Sequence, residues 1–128
     1  MGRKTTIIVG STIFVTLLTI GTLWWYFDLG HRHVEKLPWL HDQALATVLT
    51  ELGEPDRKME YTIADSPNGE FRVELYNTYP PNDPIAKQAR ILELQWHHVR
   101  YKIAVWLHQV NGNWVVQDPC RWKEGVVF

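Results

Sequence analysis

"RILELQWHHVRYKIAVWLHQVNGNWVVQDPC", residues 90–120, decides the fold. Its opening run places Leu92, Leu94 and Trp96 on one face of a strand, and the next run places Tyr101, Ile103, Val105 and Leu107 on one face of another. The apolar positions change from even to odd between the runs. A tight turn of even length around His97–Arg100 produces that change, because strand side chains alternate with a period of two. Asn111-Gly112 predicts a two-residue hairpin turn. "WVVQDPCRW" is the last strand, and Pro119 within it suits an edge or a bulge.

Pairing outward from that turn sets Val110 opposite Asn113, His108 opposite Val115, Leu107 opposite Val116 and Trp106 opposite Gln117. Leu107 and Val116 then lie on the core face. Trp106, His108 and Val115 fall on the other face, beside Ala104, where an antiparallel sheet of this size is expected to be wet. Such a group is either covered by the linker, the C-terminal tail or Trp122, or it is a patch that meets a partner. Trp106, His108 and Val115 are therefore the candidate contact residues.

Upstream, Met59, Tyr61 and Ile63 alternate with Lys58, Glu60 and Thr62, and Phe71, Val73 and Leu75 alternate with Arg72, Glu74 and Tyr76. With the turn-forming "DSPNGE" between them, the two runs predict a hairpin. Residues 79–90 read as a connection in which Asp83-Pro84 opens a single helical turn. Before the sheet, Leu45, Val48, Leu49 and Leu52 form one helical stripe, closed by Gly53 and stopped by Pro55. The expected fold is α+β: over residues 39–128, one short α-helix packed on an antiparallel meander of four to five strands.

Residues 28–38 read as a linker, and residues 7–27 as a transmembrane helix. No charge occurs from Ile7 to Phe27, and 21 helical residues span roughly 30 Å, the thickness of a bilayer core. A cleaved signal peptide has a shorter apolar region ending in small residues. This run ends in Trp24-Trp25-Tyr26-Phe27, side chains suited to the headgroup level. An anchor is expected, with no GxxxG pattern for helix pairing. Arg3 and Lys4 favour a cytoplasmic N-terminus over residues 1–6 and an extracytoplasmic domain, periplasmic if the source is bacterial.

Of 13 basic and 14 acidic residues, only Arg3 and Lys4 precede residue 28, which leaves 11 basic against 14 acidic beyond it. With no lysine/arginine block, a nucleic-acid surface is not expected. The single cysteine, Cys120, excludes an internal disulfide and reads as a small apolar side chain. No Gly-x-Ser-x-Gly elbow, P-loop or Gly-x-Gly-x-x-Gly loop is present, so neither an enzyme nor a cofactor is expected. Among the six histidines, His97, His98 and His108 give the alternative of a metal- or ligand-sensing domain, and His31-x-His33 lies in the expected linker. Adjacent histidines on a strand face opposite ways and chelate together only at a turn.

The phrase "VLTELGEPD", an amphipathic helix closing in Leu52-Gly53-x-Pro55-Asp56 before antiparallel strands, resembles the SmpA/OmlA (BamE-like) family of small envelope lipoproteins. That resemblance covers residues 40–80 and implies a non-enzymatic accessory domain that binds other envelope proteins. The family is attached through an acylated cysteine after its signal, and this chain has an apolar span in that place. Together these readings give the expected function: a membrane-anchored interaction domain, accessory or scaffold to an envelope complex, with a protein partner.

Overall fold

The computed structural model describes residues 2–67 and 70–123. Helix α1 runs Gly2–Lys36, and at a rise of about 1.5 Å per residue it is about 50 Å long. From Val9 it is long and apolar enough to cross a membrane, and its side chains are exposed from Val9 through Phe27. Thr16, Thr19 and Thr22 donate their hydroxyls to the carbonyls of Thr12, Val15 and Leu18 at 2.8–2.9 Å, so these polar atoms are answered within the helix.

The expected linker is helix. α1 does not stop where the apolar stretch stops, because nothing from Asp28 to Lys36 breaks it. Asp28 and Arg32 pair at 3.1 Å and His31 and Glu35 at 3.2 Å, both one turn apart. Val34 points inward, followed by Leu37 and Leu40 of a 3-10 turn, Leu37–Leu40, in which Pro38 ends the α-helical run. Helix α2, Leu45–Leu52, carries the expected stripe and ends where Gly53, at φ 76°, takes the left-handed region and donates its N–H to the Leu49 carbonyl at 2.9 Å.

Strands β1 (Arg57–Thr62), β2 (Arg90–His97), β3 (Tyr101–Val110) and β4 (Asn113–Lys123) form one antiparallel sheet in the order β1-β2-β3-β4. The even-to-odd switch is real: Trp96 pairs with Ile103 and His97 with Lys102 across the β2–β3 turn. Asn111 and Gly112 both have positive φ, 52° and 79°, which matches the twist of the strands they join. The register Leu107–Val116 and His108–Val115 is as expected, but Trp106 faces Asp118, not Gln117. Gln117 is the extra residue of a bulge, two positions before the proline that the ladder must accommodate.

The hairpin expected over 57–77 does not form. Residues 71–77 belong to a 3-10 turn, Glu70–Arg72, and to helix α3, Val73–Thr78. Asn68 and Gly69 of the expected turn lie outside the described residues. In seven residues, Phe71, Val73 and Leu75 satisfy a period of two, but Phe71, Leu75 and Tyr79 satisfy a helical step of four. The second set packs against the sheet, and Val73 is left exposed. β1 therefore reaches β2 through residues 63–89, which cross over one sheet face.

Two cores result. On one face, Val34, Leu37 and Leu40 beyond the apolar stretch join Val48 and Leu52 of α2 over Leu92, Leu94, Trp96, Ile103, Val105, Leu107 and Val116. On the other, Ile63 and Leu75 cover Ile91, Ala104 and Trp106, with Phe71, Tyr79, Cys120 and Trp122 around them. Cys120 is half-buried there, with burial pushing its thiol up to about 12, so it packs as an apolar group.

Candidate functional site

Trp106 is fully buried. The expected contact patch of Trp106, His108 and Val115 is therefore not an open surface: residues 63–89 cover it in place of the linker, Trp122 packs there as one of the expected covers, and the C-terminal tail beyond Lys123 lies outside the described residues. His108 is half-buried, with Nδ1 2.5 Å from the Tyr79 hydroxyl, and Val115 is half-buried beside Ala44.

Beneath that cover lies a carboxylate. Glu93, at 0 % exposure, sits opposite Trp106 in the sheet. Arg72, 3 % exposed, holds it bidentately: Nε to Oε2 and Nη2 to Oε1, each 2.8 Å. The Tyr61 hydroxyl donates to Oε2 at 2.6 Å, Trp106 Nε1 donates to Oε2 at 3.0 Å, and Gln95 Nε2 donates to Oε1. Burial by itself would raise the Glu93 carboxyl, but the hydrogen bonds from Arg72, Tyr61 and Gln95 hold it below its ordinary value. A carboxylate with five donors and no water access is answered, so the cluster positions α3 and β2 instead of reacting.

The structure does not bring His97, His98 and His108 together. His98 follows β2, whereas His108 pairs with Ile91 near the opposite end of β3. No group of three or more metal-ligating side chains occurs among the described residues. His98 has a different partner, which the sequence reading missed: His33 of α1, with His33 Nδ1 3.0 Å from His98 Nε2. Their separation of 65 positions hides the contact. Gly30 admits it, because a Cβ there would stand 2.6 Å from the His98 Cβ.

A hydrogen bond between two imidazoles needs one neutral acceptor. Burial, then the charges of His98, Lys36 and Arg32, lowers His33 to about 4, and burial also lowers His98. Above about pH 6.5 the folded and unfolded forms both hold His33 neutral, and between about 6.5 and 4 the unfolded form binds more protons. Acidification through that window is expected to remove on the order of 2 kcal/mol of stability. Thermal unfolding at stepped pH would show it, and His33→Gln should flatten that part of the profile.

Among the described residues, two of the crevices lie between α1 and the sheet. One, of about 550 Å³, follows the seam between α1 and the second half of β4, with Val34, Leu37, Pro38 and Pro119 among its apolar lining and His31, Glu35, His41, Asp118 and Arg121 as its polar lining. The other, of about 420 Å³, lies where the apolar stretch ends, between Trp24, Phe27, Asp28 and His31 of α1 and Arg100 and Tyr101 beside the β2–β3 turn.

No family model, no curated protein and no solved structure matches this chain. Both sheet faces are covered. The start of β4 is paired along its outer edge by residues 42–44, with Asp42 N–H to the Val116 carbonyl at 3.0 Å and Val116 N–H to the Gln43 carbonyl at 2.8 Å. Beyond Val116 the chain turns away into the 3-10 turn, and the larger crevice opens there. Pro119 and the bulge discourage addition of another strand along this stretch, as do the charges of Arg57, Lys58 and Glu60 along β1.

Proposed function

We propose that this protein is a single-pass membrane protein whose domain binds another protein without catalysing a reaction, as accessory or scaffold to an envelope complex. α1 crosses the bilayer over residues 7–27, with residues 1–6 in the cytoplasm and the domain on the extracytoplasmic side. The uncharged stretch, the Trp24–Phe27 girdle and the position of Arg3 and Lys4 support that placement. The SmpA/OmlA-like phrase at Leu52–Asp56 supports the accessory role.

The observation that carries the binding reading is the α1–β4 crevice. It has an apolar floor and a polar rim, the make-up of a contact centre. α1 runs unbroken into the core, so the crevice is held at a fixed height above the membrane. A partner there meets the protein at its membrane-facing half, through Asp118 and Arg121, in place of Trp106.

Co-purification from membranes in mild detergent tests this. A stoichiometric protein should accompany the native chain and be lost with Asp118→Lys/Arg121→Glu, while Val110→Asp at the far turn retains it. Equal recovery with all three chains, or no partner with any, overturns the reading.

A further inference from the structure

The apolar stretch ends at Phe27, and Gly30 lies three residues on, about 4.5 Å along the axis. Each headgroup layer of a bilayer is roughly 5–8 Å thick. Gly30 is where His98 is pressed against α1, and the His33–His98 hydrogen bond fixes the same contact one turn higher. The β2–β3 turn is thereby held at headgroup depth, with Val99 and Arg100 exposed on it.

The charges lining the smaller crevice are unequal in their partners. Asp28 is taken by Arg32, and His31 by Glu35. Arg100 has no hydrogen bond or ion pair among the described residues. Trp24, Phe27 and Tyr101 form the aromatic wall beside it. A guanidinium at headgroup depth, next to rings that tolerate both the glycerol region and water, is complementary to a phosphodiester.

We propose that this crevice seats the phosphate of a membrane phospholipid, with Arg100 as its charged ligand and Trp24, Phe27 and Tyr101 beside the glycerol. The proposal rests on the reading of α1 as a membrane span. It gives the β2–β3 turn a second role: besides closing the sheet, it docks the domain on the bilayer surface and sets the tilt of the crevice along β4.

The test is native mass spectrometry of the full chain in mild detergent, titrated with phosphatidylglycerol, phosphatidylcholine or inorganic phosphate. One phosphatidylglycerol should be retained, with binding at least about tenfold weaker in Arg100→Gln and partly restored in Arg100→Lys. Arg100-dependent retention of phosphatidylcholine supports the same site, since the phosphate is common to both lipids. Equal lipid binding by native and Arg100→Gln chains overturns it, as does inorganic phosphate binding as tightly as lipid. Arg100 is exposed in a turn, so an unchanged melting temperature should accompany the loss. Release of the protein from membranes by an alkaline wash would instead defeat the span itself, and that is read before any lipid is added.

Discussion

Replacing Glu93 with alanine is expected to cost about 3–5 kcal/mol of folding stability. The substitution leaves the Arg72 guanidinium buried without its counter-charge and strips acceptors from the Tyr61 hydroxyl, the Trp106 indole and the Gln95 amide. A domain of this size holds roughly 5–15 kcal/mol in total, so the variant should unfold near ambient temperature. Arg72→Met alone should cost about as much, because it leaves the carboxylate unpaired. Glu93→Leu with Arg72→Met should cost less than either single change, since a buried pair removed whole leaves no orphaned charge. Tryptophan fluorescence during thermal unfolding in detergent measures all three. The pair also carries an acid limit. Glu93 titrates lower folded than unfolded, so its contribution is complete above the ordinary carboxylate range and is lost as pH falls through the folded value. The His33 loss starts from about pH 6.5 and that of Glu93 only from the ordinary carboxylate range downward, so the acid profile should begin with the His33 loss. If Glu93→Ala melts with the native chain, Arg72 is not held as described.

The sheet was legible because its signals are local. The switch from Trp96 to Ile103, the Asn111-Gly112 turn and the α2 stripe each depend on a few neighbouring residues, and each stands in the structure where the sequence put it. The extension of α1 was hidden by composition. Asp28–Lys36 looks like a solvated linker, yet Asp28 pairs with Arg32 and His31 with Glu35 one turn apart, Lys36 pairs with Glu51 of α2, and the side chains of His33 and Val34 are buried. Residues 71–77 were hidden by shortness, since seven residues satisfy both periods. That has a consequence for Trp106: a strand over 71–77 leaves its cover to be sought in the linker, the C-terminal tail or Trp122, and leaves a contact patch as the alternative. Glu93 suffered the same way. Between Leu92 and Leu94 it has the place of an outward charge, and its partner Arg72 stands in the misread segment. A signal was available in the pairing itself, because Trp106 opposite Glu93, with Ile91 and Tyr61 beside them, is a poor composition for a wet face. His33–His98 had no such signal, for neither side chain predicts the other at that separation.

The buried indole gives the second large effect. Trp106→Ala should cost about 3–5 kcal/mol, from the lost ring and the cavity it leaves. The ring stacks near Phe71, centroids 6.2 Å apart at 16°, while Phe71 stacks on Trp122 at 4.5 Å, so the loss loosens the contact that fastens the 63–89 cover. Trp106→Phe separates packing from polarity. It keeps most of the apolar volume but removes the Nε1–H that Glu93 accepts at 3.0 Å, and should cost about 1–2 kcal/mol. Because that cost passes through Glu93, it should shrink when Glu93 is already glutamine, a coupling that a double-mutant cycle reads directly. A contact residue would behave otherwise: the melting temperature would hold while partner recovery fell. The fold therefore predicts that Trp106→Arg unfolds the domain instead of selectively releasing a partner, since it places a second cation beside Arg72 with one carboxylate to share. Native-like melting of Trp106→Arg would mean that the 63–89 segment does not close over this face.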